Sequence, residues 1–168
     1  GTRFLCVMPT NLYGPGDHYD LKNSHVLPAL IRKMNEAKER GDREVVVWGT
    51  GTPRRELLYS DDMADACLEL IALPNAEFAS VISTFPPLIN VGCAEDLTIR
   101  ELAATIAGVV GFKGELRFDT SRPDGTPRKL LDVSRMFSLG WRPSTSLKRG
   151  IAQTNADFLA SRVGNVAV

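Results

Sequence analysis

An apolar run, Phe4-Leu5-Cys6-Val7-Met8, empties directly into Pro9-Thr10-Asn11-Leu12-Tyr13-Gly14-Pro15-Gly16-Asp17. A buried-type strand that ends in a Pro/Asn/Gly loop is the strand exit of an open α/β sheet, and such sheets bind ligands outside the carboxyl ends of their strands. Such a strand is normally one of several, yet no glycine-rich phosphate loop and no helical crossover stands ahead of it in the sequence. The chain therefore reads like the back half of an enzyme.

Further along, strand and helix signals alternate. Ser24 is positioned to cap a helix whose apolar residues Val26, Leu27, Leu30, Ile31 and Met34 recur at helical spacing as far as Arg40, with Gly41 closing it. Glu44 to Trp48 is a short strand stopped by Gly49-Thr50-Gly51-Thr52-Pro53, and Glu56 to Tyr59 a second extended piece. Ser60 or Asp61 caps a helix with Met63, Ala66, Cys67, Leu70 and Ile71 on its apolar face; residues 74–88 read as a long surface connection. Pro87 to Gly92 is a buried strand. Thr98 and Glu101 form a capping box for a helix ending at Gly111, and Glu115 to Asp119 alternates as a strand. Ser121 to Lys129 is a polar loop, a short helix begins near Asp132, and a last helix capped by Ser146 runs to about Ala160, with a frayed tail beyond Val163. This order is α/β, and the polar loops at 9–25, 49–56 and 121–129 all follow strands, where they can converge on one cleft.

Twenty basic and twenty acidic residues cancel, which removes any global field for nucleic acid or anionic membrane. No apolar stretch approaches the roughly 20 residues of a membrane span, and no signal-like start is visible. Cys6, Cys67 and Cys93 are widely separated and form no CxxC, so neither a metal site nor a redox pair is expected; Cys6 and Cys67 read as small core residues of a protein in a reducing, cytoplasmic compartment.

His25 sits at a helix start just after the strand-exit loop. An imidazole can give or take a proton near neutrality, and a helix N-terminus favours its neutral form. The alternative is a surface histidine in a polar first turn. Arg54 and Arg55 follow one Gly-Thr-Pro element, and Arg122, Arg128 and Lys129 surround another. Guanidinium forks and ammonium groups on two loops suit a diphosphate, or else are ordinary solvated charge. Trp48, at a strand end, offers a flat face to a sugar or base, or packs as a half-buried tryptophan. Gly49-Thr50-Gly51 lacks the third glycine and the following helix of a dinucleotide loop.

PTNLYGPGD, NSHVLPALIRK, VVVWGTGTPRRE, LLYSDDMADACLEL, INVGCAEDLTIRELA and RPDGTPRKLLDVSR together resemble the C-terminal half of the GDP-L-fucose synthase branch of the extended short-chain dehydrogenase/reductase family. The resemblance covers nearly all of residues 3–160. It implies the last Rossmann strands plus a small mixed α/β substrate-binding domain, with residues 1–20 and parts of 56–72 and 87–93 at the edge of the Rossmann sheet. It further implies an N-terminal NADP(H)-binding domain that this chain is expected to lack. It implies 3,5-epimerisation and NADPH-dependent 4-reduction of GDP-4-keto-6-deoxy-D-mannose, in a homodimer. His25 is then the acid/base histidine. Pro9, Thr10, Asn11 and Leu12 lie beside the nicotinamide together with His25, and Lys33, Trp48, Arg55, Asp124 and Lys129 contact the GDP-sugar.

The family's Tyr-x-x-x-Lys pair is missing, since no tyrosine here has a lysine four residues later, and none of the three cysteines matches the partner of the histidine. The chain alone is therefore expected to bind substrate without turnover. Two other readings stay open: a UDP- or dTDP-sugar epimerase or dehydratase of the same superfamily, and a non-catalytic nucleotide-sugar-binding module.

Overall fold

A computed structural model describes residues 3–21, 23–83 and 85–164. The chain opens with strands β1 (Cys6–Pro9) and β2 (Asn11–Tyr13), helix α1 (Val26–Arg40), β3 (Glu44–Trp48) and β4 (Arg54–Tyr59). Helices α2 (Ser60–Ala72) and α3 (Asn75–Val81) precede β5 (Leu88–Val91), β6 (Asp96–Thr98) and α4 (Ile99–Val110). β7 (Glu115–Asp119), β8 (Arg128–Lys129), α5 (Ser134–Ser138) and α6 (Leu147–Gly164) complete it. The α/β class expected from the sequence is borne out.

Parallel pairs β1–β5 and β3–β7 flank a third sheet built on β4. The carboxyl half of β4 pairs with β2, in register Asn11↔Leu57 to Tyr13↔Tyr59. Its amino half lies between β6, antiparallel, and β8, parallel. Side chains alternate across a strand, so β4 serves two cores. Leu57 and Tyr59 join a cluster with Leu27, Ile31 and Met34 of α1, Leu102 and Ile106 of α4, and Ile151 of α6. Leu58 joins Ala66 and Leu70 of α2, Ile89, Val91, Met136 and Trp141.

Local chemistry accounts for both ends of α4 and for the close of α1. Thr98 and Glu101 make the expected capping box on α4, and Gly111 closes that helix in the left-handed region at φ 74°. Gly41 closes α1 at φ 72°, and Lys38 Nζ donates to Val110 O at 2.8 Å, crossing to the end of α4. Pro28 is tolerated in the first turn of α1 because the N–H it lacks would have no partner there.

Several expectations are corrected. Ser24 does not cap α1: His25 holds the N-cap position, without a side-chain bond. Neither Ser60 nor Asp61 caps α2, which starts from Tyr59; Asp62 instead turns a buried carboxylate to the N–H groups of Ser144 and Thr145, both at 3.1 Å. The connection over 74–88 contains α3, because Phe78 and Val81 give it enough apolar surface to bury. Lys129 and Arg128 leave the polar loop to pair with β4. Cys6 is exposed rather than buried, since β1 pairs only with β5 among the described residues. The last helix outruns Ala160, and the tail from residue 165 lies outside the described residues.

Glu56 is fully buried and accepts the N–H groups of Cys93 (2.8 Å) and Ala94 (2.9 Å) on one oxygen and of Leu131 (2.9 Å) on the other. Glu56→Gln keeps one acceptor oxygen and turns an amide donor toward an N–H donor. The variant should lose about 2–4 kcal/mol of stability, measured as a lower urea midpoint at unchanged slope; a midpoint equal to that of the parent chain would remove Glu56 from its structural role.

Candidate functional site

The strand-exit loop, the start of α1 and the strand β8 meet around one cavity. Pro9, Thr10, Asn11, Leu12, His25, Arg128, Lys129, Leu130 and Leu131 line a space of about 540 Å³. Two of the three loops singled out in the sequence thus converge directly. The third is tied to them: Asp124 accepts from Thr50 N (2.9 Å) and Thr50 Oγ1 (2.6 Å), and Arg55 Nη1 donates to Thr126 O at 2.6 Å. Gly49, at φ 83°, has no room for a Cβ beside the Asp124 carboxylate, which explains a glycine at that turn.

The register of β4 with β8 sorts the cations. Arg54 stands opposite Arg128 and Arg55 opposite Lys129, so the pairs fall on opposite faces. On one face Asp96 takes Arg54 Nε at 2.7 Å with one oxygen and Arg128 Nε with the other. Those hydrogen bonds, from Arg128 first and then Arg54, hold the Asp96 carboxyl below its usual range. On the other face, Arg55 and Lys129 have no carboxylate partner among the described residues; Arg55 is held only by the carbonyls of Arg54 and Thr126. Two adjacent cations without a counter-charge make a seat for an anion.

Trp48, at the end of β3, is not part of that cavity's lining and is 53% exposed. Lys33 Nζ lies 4.9 Å from the ring centroid and Arg122 Cζ 5.2 Å. Lys33 also donates to Val46 O at 3.4 Å, and burial lowers its ammonium pKa. Trp48 is therefore an open flat surface braced by cations rather than a core tryptophan, a geometry suited to stacking a base or sugar. Asp124 is occupied as a brace, its carboxyl held low by the Thr50 hydroxyl and N–H.

Thr10 Oγ1 (3.2 Å) and Asn11 Nδ2 (2.8 Å) both donate to Glu56 O, and Thr10 N donates to Val91 O at 3.0 Å. Their polar ends are spent inward, which leaves Pro9 and Leu12 facing out with carbon. That surface fits the edge of a planar ring such as a nicotinamide and offers nothing to its phosphates. Sequence reasoning missed Glu56 and Asp96. A glutamate set among the inward-facing residues of an apolar strand was the available signal for the first; nothing marked the second.

The sequence profile of the NAD dependent epimerase/dehydratase family matches residues 1–92, more than half of the chain. The chain belongs to that family. Among the family's curated members, GDP-L-fucose synthase of Escherichia coli (strain K12) is 51% identical over 96% of this chain and 50% of its own length. GDP-L-fucose synthase 1 of Arabidopsis thaliana is 52% identical over 88% of this chain and 43% of its own. A GDP-L-fucose synthetase structure from Naegleria fowleri superposes with a TM-score of 0.80 at 30% identity, covering 95% of this chain and 47% of that one. The family member described here thus spans about half the length of the curated relatives it matches, and the motif resemblance to GDP-L-fucose synthases is borne out. No helix among the described residues is long and apolar enough to cross a membrane.

The Asp96 bridge has a pH signature. The carboxylate stays ionised in the folded chain at pH values where an unfolded-chain aspartate is protonated. Its contribution is whole above the ordinary aspartate range and disappears as pH falls through the lower folded value. Between pH of about 5 and 2, Asp96→Asn should therefore lose stability less steeply than the parent chain; parallel stability–pH curves would contradict the bridge. Asp124→Ala should speed amide exchange at Thr50 without moving the thermal midpoint of the two cores, read by hydrogen exchange.

Proposed function

We propose that this chain is the nucleotide-sugar-binding part of a GDP-L-fucose synthase, acting on GDP-4-keto-6-deoxy-D-mannose. The observation that carries the reading is the uncompensated Arg55–Lys129 face beside a cavity that also holds His25 and the Pro9–Leu12 loop. The diphosphate lies against Arg55 and Lys129, the base or ribose against Trp48 with Lys33 behind it, and the sugar beneath His25. Asp124 keeps the outer loop closed over the nucleotide. The names of the half-identical relatives support the GDP-sugar assignment.

The C4 ketone of such a sugar acidifies the C–H bonds at C3 and C5. A base removes a proton from one face, the electron pair moves onto the ketone oxygen, and His25 delivers a proton to the opposite face, inverting the carbon. None of Cys6, Cys67 or Cys93 lines the cavity, so the opposing base is not among them. NADPH, when bound, supplies hydride for reduction of C4. The residues described here serve it by shaping the Pro9–Leu12 wall and excluding water from the ring.

On the same reading, residues 3–20 and parts of 56–72 and 87–93 form the edge of a larger Rossmann sheet in a cytoplasmic homodimer. The exposed Phe4, Leu68 and Ile71, beside an apolar hollow of about 450 Å³ lined by Leu5, Val7, Leu70 and Phe78, suit a seat for the NADP-binding part.

Calorimetry of the chain with GDP-mannose, UDP-glucose and dTDP-glucose tests the assignment. Tightest binding of the GDP-sugar is expected, and Arg55→Ala should weaken it by roughly 1.5–3 kcal/mol. An unchanged dissociation constant would return Arg55 to solvated charge, and preference for UDP- or dTDP-sugars would reassign the substrate. In the complete enzyme, His25→Asn should abolish inversion at C3 and C5 of the sugar while the fold persists; epimerisation at the parental rate would remove His25 from the mechanism.

A further inference from the structure

Leu12 and Leu130 are 38% and 37% exposed, and both line the cavity that holds His25. A single exposed leucine is ordinary, since folded surfaces carry much carbon. Two of them on the facing walls of one cavity are a different matter, because a pocket that presents carbon suits a ligand that brings carbon to it.

Neither leucine owes its exposure to a loose backbone. Leu12 lies in the middle of β2, with Asn11 and Tyr13 in register with Leu57 and Tyr59 of β4. Leu130 follows Lys129, which β8 holds beside Arg55. On its other side Leu131 N donates to the buried Glu56 carboxylate at 2.9 Å, and Asn90 Nδ2 donates to Asp132 O at 2.9 Å. Leu130 is thus clamped from both directions, and its isobutyl group lines the cavity from a fixed place. The polar side chains around it are largely committed. Thr10 and Asn11, on the opposite wall, spend their donors on Glu56 O, and Arg128 is taken by Asp96. On the wall of Leu130 the side chains left facing a ligand are the Lys129 ammonium and the carbon of Leu130 and Leu131.

We propose that Leu130, backed by Leu131, is the specificity residue that reads the 6-deoxy character of the sugar: its side chain seats the C6 methyl. The inference rests on the GDP-sugar assignment above. A sugar held by its diphosphate at Lys129, with its ring beside His25, carries hydroxyls, a ketone and one wholly apolar substituent, the methyl at C6. Pro9 and Leu12 serve the nicotinamide edge, so the carbon of the facing wall is left for that methyl. A 6-hydroxyl in the same place would give up its water and meet isobutyl groups instead of a hydrogen-bond partner. An apolar pocket rejects an added hydroxyl only modestly, so a wall of this kind supplies discrimination of about 10- to 100-fold. Leu130 makes and breaks no bond; its part is selection.

Calorimetry of the chain with GDP-6-deoxy-mannose, GDP-mannose and GDP alone tests this. The parent should bind the deoxy sugar about 10-fold or more tightly than GDP-mannose. Leu130→Asn, similar in size and able to pair with a hydroxyl, should bring the two sugars within about threefold of each other while GDP binds as before. Equal affinities in the parent, or a variant that keeps the full preference, would overturn the proposal. Should Leu130→Asn disturb the wall and weaken GDP as well, the parent provides a second measurement. The C6 methyl protons of the bound sugar should show a nuclear Overhauser effect to the Leu130 δ-methyls, assigned by the loss of those signals in Leu130→Met; its absence overturns the proposal equally. A chain that binds neither GDP nor either sugar would sink the function assigned above and this inference with it. One that binds the GDP-sugars without preference sinks the inference alone.

Discussion

A single buried carboxylate sets the spacing of the cleft. Glu56 uses both oxygens on backbone N–H groups from the turn after β5 and from Leu131, while its own carbonyl accepts Thr10 and Asn11. An unpaired carboxylate in this position would be very costly, and three N–H donors are what make it tolerable. One wall of the cavity, Pro9 to Leu12, and the other, Arg128 to Leu131, are thus tied to the same residue. Gly92 shares the constraint, since a Cβ there would stand 2.3 Å from Glu56 Oε1.

The electrostatics follow from the same strand. Arg54 and Arg55 are neighbours in sequence and opposites in task, because alternation sends one to Asp96 and the other to the open face. β8 repeats the division with Arg128 and Lys129. Structural and ligand-binding charge are separated by one residue's step along a strand, and neither pair needs a different kind of side chain to achieve it.

Most of this was legible where a residue's chemistry acts locally. The capping box at Thr98 and the glycine ends at Gly41 and Gly111 follow from short-range rules, and the meeting of His25 with Lys129 follows from both lying on loops at strand exits. What escaped detection depends on contacts distant in sequence. Nothing near Ser24 reveals that its hydroxyl turns inward instead of capping α1, and nothing near Asp96 announces an arginine 32 positions away. Residues 74–88 were obscured by prolines at both ends of a stretch whose middle buries Phe78 and Val81. Trp48 had two readings, and only the placement of Lys33 and Arg122 over its ring chose between them.

Because Leu57, Leu58 and Tyr59 face alternate cores, β4 admits no change of length. Adding or deleting a single residue there would transpose the inward sets, sending leucine and tyrosine to each other's compartments while carrying Glu56 away from its three amides.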